Sequence, residues 1–151
     1  MKAMNDDSFR VMDLAMKGYQ CSQILMALAL ETQGKENEDL VRAMSGLLGG
    51  MGSGKTCGAL TGGCSVLGLH AGWGTPNEIP DERLGAMLSE FVEWFESEYK
   101  GRHGSIECAG IVKDDMRNKM AHCPRIVMET WARLQEILTD HNYELDHTNR
   151  A

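Results

Sequence analysis

The stretch from Gly46 to Gly74 reads Gly-Leu-Leu-Gly-Gly-Met-Gly-Ser-Gly-Lys-Thr-Cys-Gly-Ala-Leu-Thr-Gly-Gly-Cys-Ser-Val-Leu-Gly-Leu-His-Ala-Gly-Trp-Gly. It holds eleven of the chain's 17 glycines and two of its five cysteines. Glycine loses more conformational freedom on folding than any other residue, so this density indicates a backbone that turns through positive φ or passes very close to another group. We therefore expect the stretch to organise the packing of the fold and to contain the functional site.

Within this stretch, residues 49–56 match the phosphate-binding pattern G-x-x-x-x-G-K-[ST] at every fixed position. A working phosphate loop follows a buried β-strand, whereas residues 38–45 have helical spacing. The six valines and six isoleucines of the whole chain are also few for a parallel sheet. Nucleotide binding at residues 49–56 is therefore the least favoured function.

The second half of the stretch predicts a helix from Cys57 to His70, with Thr56 as its N-cap. Glycine recurs there at four-residue spacing, at Gly58 and Gly62 and again at Gly68 and Gly72. Small residues at this spacing remove side chains from one stripe and allow another helix to come close. The sequence thus predicts a glycine-rich loop followed by a central, tightly packed helix.

The rest of the chain has helical periodicity, and no segment predicts a strand. A first helix is expected from about Asn5 to Lys17, with a broad apolar face that includes Phe9, Met12, Leu14, Ala15 and Met16. Further helices are predicted over about 21–30, 38–48, 82–100, 106–113 and 124–138, with a polar link over 114–122. The fold class is therefore all-α: one domain over residues 1–151, a compact bundle of five to seven helices with a frayed tail from residue 140.

Composition restricts the classes of partner. A net charge of −7 and a pI near 5.2 argue against nucleic acid or an anionic membrane. The N-terminus lacks the apolar core of a secretory signal, and no segment is apolar for long enough to enter a membrane. These features predict a cytoplasmic protein. In that reducing compartment, cysteines are buried thiols, metal ligands or redox groups rather than permanent disulfides.

Four cysteines fall at the predicted N-termini of four helices: Cys21, Cys57, Cys108 and Cys123. The start of a helix carries about half a positive charge. A thiol placed there is expected to have a lowered pKa and to react or bind metal as the thiolate. Lys55 and His122, each close to one of these cysteines, would add to the effect.

The alternative is that these cysteines are inert. Free cysteine is among the most buried residue types, and each one taken alone is more often part of the core. The chain contains no C-x-x-C pair and no zinc-ribbon spacing. Cys64 differs from the other four because it is predicted in the middle of a helix.

The cysteine pattern resembles that of a known family. Gly18-Tyr19-Gln20-Cys21-Ser22-Gln23, then Cys57-Gly58-Ala59-Leu60-Thr61-Gly62 with its upstream glycines, and finally Cys108 and Cys123 are similar to the redox-active family named for the pattern C…CGAxxG…C…C. The resemblance runs from about Phe9 to Leu138. It implies that these four cysteines are the family's own, that Cys64 is an addition, and that the glycines of residues 49–56 are family scaffold. It extends to an iron–sulfur-associated domain of split-Soret cytochromes.

Three mechanisms are open for this site. In the favoured one, Cys21, Cys57, Cys108 and Cys123 hold a [2Fe–2S]-type iron–sulfur cluster that transfers single electrons. In the second, the same thiols cycle through disulfides without a cofactor, with Cys57 or Cys123 as the attacking thiolate. In the third, they hold a structural zinc ion. We expect a redox partner protein, no nucleic acid and no membrane insertion, and the sequence is compatible with a homodimer.

Overall fold

The computed structural model describes residues 6–147 of the chain. Seven α-helices follow one another: α1 (Asp6–Met16), α2 (Cys21–Thr32), α3 (Glu38–Ala43), α4 (Gly58–Ala71), α5 (Leu84–His103), α6 (Cys108–Val112) and α7 (Met116–Asp140). A 3₁₀-helix (Met44–Leu47) and a tight turn with left-handed backbone dihedrals (Gly50–Gly54) lie between α3 and α4. The described residues form no strand, only one isolated antiparallel bridge. The all-α prediction is confirmed.

Helix α4 lies at the centre and packs against α2, α5 and α7. A Cβ atom on Gly62 would lie 2.9 Å from the Cα of Ser22, so the backbones of α2 and α4 nearly touch there. Gly68 has open space around it, and Gly72 faces the carbonyl of its own helix. The predicted close crossing is therefore confirmed for the first glycine pair and wrong for the second.

The core is continuous through the bundle. A Cβ on Gly63 would lie 2.3 Å from the Cζ of Phe91, so the Phe91 ring of α5 packs directly against the backbone of α4. The largest fully buried side chains come from α2, α4, α5 and α7, among them Leu25, Met26, Leu28, Leu67, Met87, Phe91, Phe95, Tyr99, Ile126, Trp131 and Leu134. Between residues 6 and 147, no helix is both long enough and apolar enough to span a bilayer.

Helix α1 does not have the broad apolar face that its sequence predicts. It buries Val11 and Leu14, whereas Phe9, Met12 and Met16 are exposed. The helix lies at the edge of the bundle and contacts α2 and α7, so only a narrow stripe is covered. The apolar composition was a poor guide here because burial depends on the neighbouring helices.

Residues 49–55, called the glycine loop below, explain the local glycine density. Its backbone has positive φ at Gly49, Gly50, Met51, Gly52 and Gly54. A Cβ on Gly50 would lie 2.4 Å from the backbone of Lys55, so a side chain is excluded at that position. The loop follows a helix and a 3₁₀-helix, not a strand. The structural setting of a phosphate loop is therefore missing.

Helix α7 begins earlier than predicted. It starts at Met116 after Asp115, whose side chain accepts the backbone N–H of Arg117, and it runs through the predicted polar link and through Pro124. A proline inside a helix removes one hydrogen bond and costs about 3 kcal/mol. Packing of the long helix against α4, α5 and α6 offsets this cost. The prediction that Cys123 caps a helix beginning at Pro124 is therefore wrong.

The segment after α7 is held against the bundle as far as the structure describes it. The Tyr143 hydroxyl donates to the carboxylate of Asp81, and Arg83 donates to the carbonyl of His141. The N–H of Asp146 donates to the carbonyl of Thr32 at 3.0 Å. These contacts attach residues 141–147 to the bundle, residues 148–151 lie outside the described part, and the expected fraying of the tail stays a prediction.

The two glycines of α4 provide a test of the helix crossing. Gly62→Ala is expected to lower the free energy of unfolding by about 1–3 kcal/mol, because the new methyl group overlaps the backbone of α2. Gly68→Ala, on the same helix with open space around it, should raise it by up to about 1 kcal/mol through better helix propensity. Urea denaturation followed by circular dichroism measures both. A stabilised Gly62→Ala variant would contradict the crossing.

The attachment of the C-terminal segment predicts a dependence on pH. Hydrogen bonds from Arg83 and then Tyr143 hold the pKa of Asp81 well below its ordinary value of 3.8. Because the folded-state pKa is depressed, this contribution to stability is present above the ordinary pKa and is lost as the pH falls through the folded-state pKa. Acid denaturation of wild type and Asp81→Asn tests this. The variant should lose less stability than wild type below pH 4, and parallel curves would refute the role of Asp81.

Candidate functional site

The isolated antiparallel bridge between Thr56 and Glu107 places two cysteines side by side. The N–H of Cys57 donates to the carbonyl of Ile106 at 2.9 Å, and the N–H of Cys108 donates to the carbonyl of Lys55 at 2.7 Å. Each cysteine stands at the start of its helix: Cys57 is the N-cap of α4, and Cys108 is the first residue of α6. Two backbone hydrogen bonds thus join the starts of α4 and α6.

Cys21 approaches the same region from α2, where it is the first helical residue. Its Sγ lies against Gly58: a Cβ built on that glycine would be 2.6 Å from the sulfur and 2.9 Å from the carbonyl oxygen of Leu47. Gly58 directly follows Cys57 in the chain. The missing side chain therefore leaves room for the Cys21 sulfur next to the start of α4.

Cys123 is the only one of the four that does not lie at a helix start. It stands eight positions into α7, immediately before Pro124. Met116, Lys119 and Met120 share its face of the helix, since they precede it at i−7, i−4 and i−3. Both methionines are largely exposed, and Cys123 itself is partly buried. This face of α7 therefore joins the thiol region to the protein surface.

The electrostatic interactions among the cysteines show that they form one group. Negative charge on Cys123 and Cys108 raises the pKa of Cys21, and charge on Cys21 and Cys123 raises that of Cys57. Charge on Cys108 likewise raises the pKa of Cys123. All five cysteines are free thiols. The structure therefore brings together the four cysteines singled out from the sequence, here called the thiol cluster (Cys21, Cys57, Cys108 and Cys123).

The acidity of these thiols differs from the prediction. Burial raises the pKa of Cys21 to about 11 and that of Cys57 to about 12, and it also raises the pKa of Cys123. The N–H groups of Ser22, Ala59 and Leu60 act in the opposite direction but are the weaker effect. Loss of hydration disfavours the charged form more than a helix start favours it. The expectation of lowered thiol pKa values is therefore wrong for these three residues.

The side chain that favours the thiolate form is not one of the two that the sequence predicted, Lys55 and His122. Lys119 is the cation that lowers the pKa of Cys21 and Cys123, whereas Lys55 is not among the main groups acting on Cys57. The ring of His122 packs against that of His103, with centroids 4.5 Å apart. The sequence did not single out Lys119, because Lys119 lies within residues 114–122, which were predicted to be a polar link. Those residues are helical from Met116 onward, and the helix places Lys119 one turn before Cys123.

Cys64 is separate from the thiol cluster. It lies in the middle of α4, and burial alone raises its pKa, with no contribution from another cysteine. This agrees with its interpretation as an additional residue. It also makes Cys64 a natural control for experiments on the other four.

The spacing of the donors limits what they can bind. Within residues 6–147, no three His, Cys, Asp or Glu side chains converge closely enough to hold a single metal ion. The four thiols nevertheless act on one another across a common region, and the sulfur of Cys21 packs directly against Gly58. Backbone N–H groups of α2 and α4 also face two of the sulfurs. Four cysteine sulfurs are the ligand type that soft metals and iron–sulfur clusters take.

Comparison with known protein families gives a match over most of the chain. Residues 19–137 match the family described as "Putative redox-active protein (C_GCAxxG_C_C)". The chain belongs to this family. The match covers the whole thiol cluster, from α2 to most of α7. No curated protein and no solved structure matches the chain.

Two cysteines of this chain, Cys57 and Cys64, lie in blocks that are similar to the central block of the family's pattern. The order Gly-Cys-Ala-x-x-Gly in the family's name does not occur in this chain. The chain has Cys57-Gly58-Ala59-x-x-Gly62, in which the first two residues are exchanged, and Gly63-Cys64-Ser65-x-x-Gly68, in which serine replaces alanine. Of these two residues, Cys57 interacts electrostatically with Cys21 and Cys123, whereas burial alone affects Cys64. The geometry therefore favours the first block as the one that contributes to the thiol cluster.

Proposed function

We propose that this redox-active protein is an electron carrier in which Cys21, Cys57, Cys108 and Cys123 hold a [2Fe–2S]-type iron–sulfur cluster. The observation that carries the proposal is the mutual interaction of four thiols from four different helices. Four cysteine thiolates are the usual ligand set of such a cluster. When bound, the cluster would supply reversible one-electron chemistry.

The residues around the thiols have roles that suit this function. Gly58 keeps the space beside Cys21 free of a side chain. The N–H groups of Ser22, Ala59 and Leu60 favour the thiolate form of Cys21 and Cys57. Hydrogen bonds to the sulfurs are one of the means by which proteins set a cluster's reduction potential. Lys119 adds a positive charge, which favours the more negative, reduced state.

A structural zinc site is less well supported. A zinc ion requires all its sulfur ligands at about 2.3 Å from one point. No three donor side chains of the described chain meet that condition. Zinc also has no redox chemistry of its own, whereas the family is described as redox-active. A cluster therefore suits the family's description better than zinc does.

Thiol–disulfide exchange by the same cysteines is also less well supported. The attacking group in that reaction is a thiolate. Burial raises the pKa of Cys57 and Cys123, the two candidate nucleophiles, so few thiolates are present at neutral pH. The cluster hypothesis needs no reactive thiolate in the metal-free protein, because the metal displaces the proton on binding.

The surface of α7 suggests where electrons would enter and leave. Met116 and Met120 are exposed on the helix face that carries Cys123. Methionine-rich surfaces adapt to different partners. We therefore place the docking site of a redox partner protein on this face. The proposal puts the protein in the cytoplasm, whose reducing conditions keep the thiols available.

Replacing the cysteines one at a time tests the ligand set. Serine at position 21, 57, 108 or 123 should reduce bound iron and sulfide from about two of each per chain to much lower values, because a ligand is lost. Cys64→Ser should retain the wild-type content. The measurements are iron and sulfide analysis and absorption spectra of protein purified without oxygen.

The same preparation separates the three mechanisms. Coloured protein with about two irons supports the cluster. Colourless protein with one zinc ion supports the structural site, and metal-free protein whose free-thiol count rises on mild reduction supports disulfide chemistry. Loss of iron in Cys64→Ser combined with retention in Cys57→Ser would overturn the assigned ligands.

Lys119 provides a test of electrostatic tuning. Lys119→Gln should lower the reduction potential by roughly 10–30 mV, because the reduced state loses a nearby positive charge. Arg117→Gln is the matched control, since that side chain is highly exposed and pairs with Asp115. A redox titration followed by absorption measures both variants. Equal shifts in the two would show that only overall charge matters.

A further inference from the structure

A second site lies on the other side of α7 from the thiol cluster. A cavity of about 560 Å³ opens where the end of α5, the end of α6 and the first half of α7 meet. It is lined by Arg102, His103, Ile111, Lys113, Asn118, Ala121, His122 and Arg125, and we call it the basic cavity. Its size is within the range of pockets that bind small molecules.

The basic cavity and the thiol cluster use opposite faces of the same helix. Asn118, Ala121, His122 and Arg125 follow the i, i+3, i+4, i+7 pattern of one helical stripe. The stripe that contains Lys119 and Cys123 is offset from it by two residues, or about 200° at 100° per residue. The two sites are therefore separate, and ligands of one do not occupy the other.

The lining of the cavity is positively charged. Arg102, Lys113 and Arg125 are cations, and no aspartate or glutamate of the described chain lines the cavity. This concentration is unexpected in a protein whose net charge is −7. Burial is the largest effect that lowers the pKa of His103; the neighbouring His122, Arg102 and Lys113 act in the same direction, and Glu129 acts in the opposite one.

Nearby carboxylates orient the arginines but do not neutralise the whole group. Glu129 accepts from Arg102 at 2.6 Å and pairs with Arg125 at 3.5 Å, and it also accepts from the Tyr99 hydroxyl at 3.1 Å. Glu98 forms a further ion pair with Arg102. Lys113 has no ion-pair partner within residues 6–147. Lys113 therefore lines the cavity as a cation without an ion-pair partner, together with Arg125 and with Arg102, which two carboxylates hold in place.

We infer that the basic cavity is a binding site for a small anion that carries phosphate or carboxylate groups. Arginine presents a planar fork of N–H donors that matches the oxygens of either group. Lys113 supplies a separate positive charge from α6, and the amide group of Asn118 is tied to the carbonyl of Val112 at 3.1 Å, which fixes α7 against α6. Charge, donor geometry and volume all favour an oxyanion.

A purely structural role for the same cations makes a different prediction. Arg102 and His103 lie in the last turn of α5, and Lys113 caps α6, where the helix dipole favours positive charge. In that role, removing a cation would lower stability and leave anion binding unchanged. Binding and stability must therefore be measured on the same variants.

The test is calorimetric titration of the full chain with inorganic pyrophosphate and, separately, with citrate, at constant ionic strength in chloride. Saturable binding of either probe is expected. Arg125→Gln and Lys113→Gln should each weaken it about tenfold, because each removes a charged donor. Arg117→Gln, on the same helix but outside the cavity, should bind like wild type.

The outcomes are distinct. Pyrophosphate binding without citrate binding assigns the site to phosphate groups, and the reverse assigns it to carboxylates. Binding of neither probe overturns the inference, as does equal weakening in all three variants. Unchanged affinity with a lowered melting temperature in Lys113→Gln and Arg125→Gln identifies the structural role instead. None of these results depends on the content of the thiol cluster.

Discussion

At the crossing of α2 and α4, two backbones come closer than side chains would allow. Gly62 faces the backbone of Ser22, and Gly58 faces the sulfur of Cys21. The buried hydroxyl of Ser22 donates to the carbonyl of Met44 at 2.7 Å, which attaches the 3₁₀-helix before the glycine loop to the same point. This single contact therefore fixes the distance between Cys21 and Cys57 and also the start of the loop that leads into α4.

Cys108 and Cys123 are positioned by a second set of contacts. The glycine loop turns through positive φ and lies on α6, where a Cβ on Gly54 would be 3.0 Å from the Cβ of Ala109. The chain then leaves the loop in the short antiparallel pairing with residues 106–108, which sets Cys108 beside Cys57. Helix α6 in turn packs on α7 and brings Cys123 within electrostatic range. Backbone contacts thus determine the site more than side-chain packing does.

The sequence predicted the fold class and the family, because both depend on local signals. Helical periodicity marks α2, α4 and α5, and the spacing of the cysteines carries the family resemblance. The start of α7 could not be predicted this way, since Pro124 is favoured at a first helical turn and tolerated inside a helix only when tertiary contacts offset its cost. The pairing of Thr56 with Glu107 joins residues 51 positions apart and leaves no local pattern.

The acidity of the thiols shows which physical effect dominates at the site. A helix start stabilises negative charge by up to about 2 kcal/mol, whereas burial can shift a pKa by 3–5 units, each unit being worth about 1.4 kcal/mol. Mutual repulsion among the thiolates adds to the cost of ionising them together. The thiol cluster is therefore poorly suited to hold several negative charges by itself and well suited to hold them around a cationic group. Under the proposed function, loading the site releases protons from buried thiols, so binding of the cluster is expected to strengthen as the pH rises.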